Sequence, residues 1–485
     1  MKEKIETINF KYKITIFTFI LFLIISSLAP ISGDDWKSYI IGKEGFIECF
    51  KNININDGRI ISGFLINFLT YNKLLFDISL AILMSKFVKI CNDLMGTVKN
   101  KYYYFYPLIG ILLVSTFMFS YNYVSITSTV AYTFPTIFIF NYYYLLLKDE
   151  ELKNSTTIKL ILISLFVSLS SIHLAITFFI TNLIYFTIYS KKKKINAKYF
   201  ILVLLNFIAI IYSLSQIKTN LIYIELNNLP SNISYIIDNV FSKNIVLIIL
   251  GAIPINLYLS EKLKEHVYGR VVITLFDLIL IFSLSYNFFN YIPVNINLIL
   301  TKYNGIFATE NWYYVFYFIV YLVLFVLSIN HYITNRKLKL TLNTLMIFSF
   351  ILMIITLLSP IIDKGNIIFI ILVFILITTI FAKEAEIRIY EKLVKTSITL
   401  LVIYYISMFG IIKYIDYTRE TYINEQLKAG DTNIEIKANP LYLVWRYNPD
   451  YFQSKDFKKY YNISEDKGLE VKYFGIFEKI EKRVK

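Results

Sequence analysis

Two adjacent carboxylates, Asp34 and Asp35, stand in the stretch Ser32-Gly33-Asp34-Asp35-Trp36, where the first long apolar segment ends. A second polar stretch, Asn56-Asp57-Gly58-Arg59, precedes the next apolar run. The chain is 56% hydrophobic and only 17% charged, so charge at the mouth of an apolar helix marks a candidate functional site. A carboxylate beside a membrane-embedded cavity can take a proton from an acceptor hydroxyl, or hold a divalent cation on a phosphate. Two in succession can divide the labour, one facing the cavity and one bracing it. The alternative is that Asp34 or Asp35 caps a short helix starting at Trp36, whose indole is then an interfacial anchor. The residues alone leave these readings level. Arg59 suits a phosphate because a guanidinium grips two oxygens at once. Its competing roles are an ion pair with Asp57 and a snorkelling contact.

The remaining polar candidates are few. His173 falls at a helix-turn-helix end, where it could donate to a substrate, although a satisfied polar group between packed helices is the more ordinary role. His266 and His331 belong to the opposite side of the expected membrane. Three histidines and two separated cysteines, Cys49 and Cys91, offer neither a transition-metal cluster nor a disulfide. Glu310-Asn311-Trp312 and Asp238-Asn239 could line an acceptor groove, though solvated loop positions explain them as well. Asn232-Ile233-Ser234 and Asn462-Ile463-Ser464 match glycosylation acceptors at a frequency expected of so Asn-rich a chain. No Gly-rich phosphate loop is present, which argues against an ATP-driven pump.

The elements that must position these residues are membrane helices. Apolar segments able to span ~30 Å of hydrocarbon recur throughout. Thirteen are expected, at 13–30, 74–91, 104–120, 129–147, 158–172, 174–190, 198–216, 244–260, 270–288, 312–331, 340–359, 367–382 and 395–414. Their loops alternate in charge. Lys99 and Lys101, the run 191–194, Lys262 to Arg270, Arg336 to Lys339 and Lys383 to Lys392 fall on one side. The other side holds Lys302 and Lys364 in its shorter turns. The positive-inside rule then places the N-terminus in the cytoplasm and the C-terminus outside. The Lys-rich start resembles a signal peptide, but Pro30-Ile31-Ser32-Gly33 lacks a small-x-small cleavage site, so a retained first helix is expected.

The expected fold is therefore an all-α polytopic membrane protein, with residues 1–414 in the membrane and a small mixed α/β extracytoplasmic domain over 415–485. Residues 31–73 form its first outer loop. Within that loop Ile60–Leu69 has helical apolar spacing and suits a helix lying in the interface. The net charge of +15 is spent on topology in short loops, whereas a nucleic-acid footprint would cluster on one soluble face.

The acidic first loop, Asp34-Asp35-Trp36 followed by Gly58-Arg59, resembles that of bacterial C-type (GT-C fold) membrane glycosyltransferases. Asn122-Tyr123 through Tyr132-Thr133-Phe134-Pro135 is similar to the aromatic-Pro stretch opening their fourth helix. Ser359-Pro360 and Tyr473-Phe474-Gly475-Ile476 extend the likeness. Two departures are plain: His173 is followed by Leu-Ala-Ile rather than an acidic residue, and Lys364-Gly365 stands where an arginine often follows Ser-Pro. The resemblance implies inverting transfer of a sugar from a polyprenyl-phosphate donor to a cell-envelope glycan or lipid acceptor at the outer face of the plasma membrane. It implies Asp34 and Asp35 as catalytic residues, or as ligands of a divalent cation (Mg or Mn), and Trp36, Arg59, Tyr132, His173 and Lys364 as substrate-binding. The alternatives are a lipid-linked saccharide polymerase or flippase, which predicts more cations facing the cavity, and a non-enzymatic envelope scaffold.

Overall fold

The structure, a computed structural model, describes residues 2–53, 59–149, 152–190, 197–216, 232, 245–264, 266, 268–278, 312–358, 364–387, 390–438 and 455–473. Residues 56–58, the lysine run 191–194, Asp238-Asn239, Glu310-Asn311, Ser359-Pro360 and Phe474-Gly475-Ile476 lie outside the described residues, as does the side chain of Lys364.

The chain is predominantly helical, as hydrocarbon requires: with no water to satisfy it, each backbone N–H must bond within its own helix. Among the described residues, six helices are long and apolar enough to cross a membrane: Asn9–Leu28, Ile126–Lys148, Lys198–Ser215, Arg336–Leu358, Ile367–Glu384 and Glu391–Ala429. Two of them, Ile126–Lys148 and Ile367–Glu384, are 72% buried inside the protein, against 28–39% for the other four. These two are the inner helices of the bundle, and Phe140 of one stacks on Phe369 of the other at 5.5 Å.

Helix α1 (Lys2–Leu28) lies along α5 (Lys73–Met95). At one end of this pair Lys11 donates to the Asn92 carbonyl at 2.9 Å. At the other end Lys73 and Ser26 share the Asp77 carboxylate, at 2.6 and 2.5 Å. Between α1 and α5 the chain forms α2 (Asp35–Lys43), α3 (Phe46–Lys51) and α4 (Ile60–Tyr71). Gly42 permits α2 to touch α4, since a Cβ there would stand 2.5 Å from the Asn67 carbonyl and 2.6 Å from Tyr71 Cβ. This is the loop end of the bundle. At the opposite end the basic turns meet the start of the last long helix: Lys99 pairs with Glu386 at 2.6 Å and Tyr103 donates to the Ile387 carbonyl at 2.6 Å.

Three expected boundaries are corrected. The segment 104–120 is not one helix but α6 (Tyr106–Leu112), a break, α7 (Thr116–Phe119) and a π-helical turn over Ser120–Val124. The break is stabilised from another helix, because Tyr405 donates to the buried Val114 carbonyl at 3.0 Å. The segment at 129–147 starts earlier, with α8 (Ile126–Ser128), then a second π-helical turn over Thr129–Thr133 and α9 (Phe134–Lys148). Pro135 has no N–H to give the preceding turn, and widened turns of this kind gather at functional sites. The hydroxyls of Thr129 and Thr133 both turn back to the Asn122 carbonyl, joining the two π-turns. Further on come α10 (Asn154–Ser168), α11 (Ile172–Ser190), α12 (Ala197–Gln216), α13 (Ile245–Lys262), α14 (Trp312–Tyr332), α15 (Arg336–Leu358) and α16 (Ile367–Glu384).

The third correction concerns the boundary at 414/415. No break occurs there: α17 (Glu391–Ala429) is a single helix of 39 residues. At 1.5 Å per residue it is about 58 Å long, roughly twice the hydrocarbon thickness. It ends at Gly430, whose φ of 77° is the left-handed conformation glycine adopts at least cost. Beyond it β1 (Asn433–Ala438) pairs in parallel with β2 (Gly468–Tyr473), and α18 (Lys455–Tyr460) lies in the connection that parallel pairing requires. Gln426 on α17 clamps β1 through both its amide atoms, at 2.8 Å to the Glu435 carbonyl and 2.7 Å from the Glu435 N–H.

Candidate functional site

The two aspartates do different things. Asp34 is exposed at the start of α2 and makes no side-chain cap to that helix. Asp35 is buried and crosses to another part of the chain: Oδ2 accepts from the Ile126 N–H at 3.1 Å, and Oδ1 from the Thr127 N–H at 2.9 Å and the Thr127 hydroxyl at 2.5 Å. It therefore caps an inner helix 91 residues away rather than the helix it begins. Such a position favours a negative charge, because the first N–H groups of a helix have no partner within it. Burial raises the Asp35 carboxyl above the usual carboxylate range, and the bonds from Thr127 and Ile126 draw it back. With both Asp35 oxygens so committed, the pair does not fit a shared cation site. Among the described residues no group of three or more His, Cys, Asp or Glu side chains could hold one.

Trp36, expected to bind substrate, lies in the core. It is 1% exposed, its ring lies 5.0 Å from Phe457 and 6.2 Å from Tyr460 on α18, and its Nε1 donates to the Ile31 carbonyl at 3.2 Å. Tyr39 meets the same Tyr460 at 5.1 Å. Nearby, Arg419 on the extension of α17 is 1% exposed, pairs with Asp416, and stands 5.7 Å over the Tyr461 ring. The first loop and the C-terminal segment thus share one aromatic core. Trp36→Phe is expected to lower the melting temperature, through a lost hydrogen bond and lost volume worth about 1–2 kcal/mol. A detergent-solubilised thermal melt checks this.

Arg59, Tyr132 and the Lys364 backbone are brought together. Arg59 Nη2 donates to the Tyr132 hydroxyl at 2.5 Å, with the guanidinium carbon 5.2 Å from the ring centroid. Tyr132 lies on the second π-turn, six residues after the Asp35-capped Ile126. Its ring fits against Gly365, where a Cβ would stand 1.9 Å from Tyr132 Cδ2. Only glycine allows the short 3-10 turn Lys364–Asn366 to lie so close. Asn366 then opens α16, so the site stands at the shared end of both inner helices.

His173 joins this neighbourhood through α4. The Ile61 N–H donates to the Leu169 carbonyl at 3.0 Å and the Ser62 hydroxyl to the Ser170 carbonyl at 2.6 Å, so the α10–α11 turn holds the start of α4 beside Arg59. His173 sits half-buried in the first turn of α11 and its carbonyl accepts from Thr177.

Three features escaped the sequence reading. The Ser26–Lys73–Asp77 cluster places a buried ion pair at the loop end, and its signal was an i, i+4 charge pair inside an apolar segment. Asn122 and Asn366 are both buried with neither amide atom hydrogen-bonded among the described residues. Asn366 could have been singled out as a capping residue type ahead of the long apolar run at 367–382.

The chain was compared with family models, with curated proteins and with solved structures, and none of them matches it.

Proposed function

We propose that the chain is a membrane glycosyltransferase that moves a sugar from a polyprenyl-phosphate donor to a glycan or lipid acceptor at the outer face of the plasma membrane. The observation that carries this reading is the division between the aspartates: Asp35 is consumed in capping Ile126, while Asp34 stands exposed in the same loop that leads to Arg59. In the proposed reaction Asp34 takes the acceptor's hydroxyl proton as that oxygen attacks the anomeric carbon. The bond from this carbon to the phosphate oxygen breaks with inversion, and polyprenyl phosphate leaves with the electron pair. Arg59, oriented by Tyr132, faces the charge that develops on the phosphate. The finer architecture belongs to the same proposal: thirteen spans, a GT-C-like arrangement, a cytoplasmic N-terminus and an extracytoplasmic domain after α17. The gathering of Lys99, Lys101 and Lys383 at the end opposite the aspartates supports this orientation.

A lipid donor must reach the site sideways. Helices α3 and α4 present an aromatic ridge in which Phe50 stacks on Phe64 at 4.0 Å and Phe64 on Phe68 at 5.8 Å. Beside it Phe46 and Ile47 are 58% and 67% exposed, an arrangement suited to the lipid interface. Replacing Phe46 and Ile47 by serine is expected to raise KM for a long-chain donor several-fold, with kcat nearly unchanged and a water-soluble short-chain donor little affected. Steady-state kinetics on both donors checks this.

The reading is tested by incubating purified protein with a panel of polyprenyl-phosphate sugars and a candidate acceptor, and measuring released polyprenyl phosphate. Release that depends on acceptor supports it. A panel that yields none, while the tail alone retains binding to envelope glycan, favours a scaffold instead.

A further inference from the structure

The two inner helices start side by side but are finished differently. The first, beginning at Ile126, receives the Asp35 carboxylate on its opening N–H groups. On the second, α16, no carboxylate among the described residues accepts from the opening N–H groups. Its capping residue Asn366 makes no side-chain bond to the first turn. Asn366 is nevertheless 2% exposed, and both its Oδ1 and Nδ2 are buried without a hydrogen-bond partner among the described residues. Burying a primary amide without partners costs on the order of 1–3 kcal/mol, a cost that a ligand bonded to it would offset. The preceding residue, Gly365, lies flat on the Tyr132 ring, whose hydroxyl holds Arg59. A helix N-terminus and an amide donor therefore adjoin the ring whose hydroxyl holds a guanidinium, and all three groups favour negatively charged oxygen.

We propose that the start of α16, with Asn366 and Arg59, is a phosphate subsite, occupied by the phosphate of a polyprenyl-phosphate lipid. In it Asn366 Nδ2 donates to one phosphate oxygen, Arg59 to another, and the opening N–H groups of α16 to the remainder. The subsite does for the second inner helix what Asp35 does for the first, except that its anion arrives with the substrate. The assignment of the lipid rests on the donor reading above, whereas the anion preference rests on geometry alone.

The test is binding and needs no transfer. Purified full-length protein in nanodiscs is titrated with geranylgeranyl phosphate, geranylgeraniol and inorganic phosphate, for wild type, Asn366→Ala and Asn366→Asp. Wild type is expected to bind geranylgeranyl phosphate at least about tenfold more tightly than geranylgeraniol, the scale of one charge-assisted hydrogen bond. Asn366→Asp, which keeps the size and adds a negative charge, is expected to abolish that preference, and Asn366→Ala to reduce it. Inorganic phosphate competing at comparable concentration would show an anion site without lipid selectivity and overturn the lipid assignment. Equal affinity of wild type for the phosphate and the alcohol would overturn the subsite, as would an unchanged preference in a monodisperse Asn366→Asp protein. A subsite that binds as expected in a protein that transfers no sugar would sink the transferase reading and leave the anion site standing.

Discussion

Asp34→Asn is expected to insert, to melt with the wild type, and to transfer sugar about 10²–10⁴-fold more slowly, the usual contribution of a positioned general base. The physical reason lies in its exposure. Asp34 makes no cap to its own helix and sits on the solvent side of a loop whose fixed points are Asp35 and Trp36. An amide of the same size leaves those fixed points in place and removes the proton acceptor. Rate and melting temperature measured on one preparation separate chemistry from folding. An Asp34→Asn enzyme with full turnover would remove Asp34 from the mechanism.

Asp35→Ala should behave in the opposite way, losing roughly 3 kcal/mol or more of stability. The alanine strands two buried N–H groups and one hydroxyl at the head of an inner helix. It also removes the negative charge from the positive end of that helix. The segment set free leads directly to Tyr132, so activity should fall along with the melting temperature. Asp35→Asn should cost less, because a side-chain oxygen can still accept from Thr127 while its NH2 faces the Ile126 N–H. Ranking the melts of wild type, Asp35→Asn and Asp35→Ala checks the order. An Asp35→Ala protein as stable as wild type would show that the cap carries no weight.

Much of the membrane character was legible because it is written in long, local patterns. Apolar runs and basic turns are read within twenty residues, and the helices at Ile60–Tyr71, Ile245–Lys262 and Ile367–Glu384 begin and end near where hydropathy sets them. Long-range partnerships were not legible. Asp35 looks identical to Asp34 in the sequence, and only its meeting with Ile126 separates a brace from a candidate base. Trp36 next to two carboxylates reads as a substrate contact or an interfacial anchor until Phe457 and Tyr460 arrive from the far end of the chain. Tyr460 of α18 and Tyr461 just after it belong to the core that joins the tail to the first loop. The end of α17 was misplaced because hydropathy falls at 415 while helix propensity does not: Thr418 through Ala429 includes Glu420, Glu425, Gln426, Leu427 and Lys428, all sound helix formers. Arg59, Tyr132 and Lys364 were each singled out alone, and their shared neighbourhood depends on the fit of Gly365 to the Tyr132 ring.

The expected product is a new glycosidic bond, made at the end of the bundle where Asp34 and Arg59 stand. Its most direct measurement uses sided proteoliposomes, an isotope-labelled polyprenyl-phosphate sugar and an impermeant acceptor added outside, with the products read by mass spectrometry. Labelled acceptor and free polyprenyl phosphate are expected in equal amounts, formed only when the face carrying Asp34 is exposed to the acceptor. Labelled donor that crosses the bilayer with its sugar still attached, and no labelled acceptor, would contradict it.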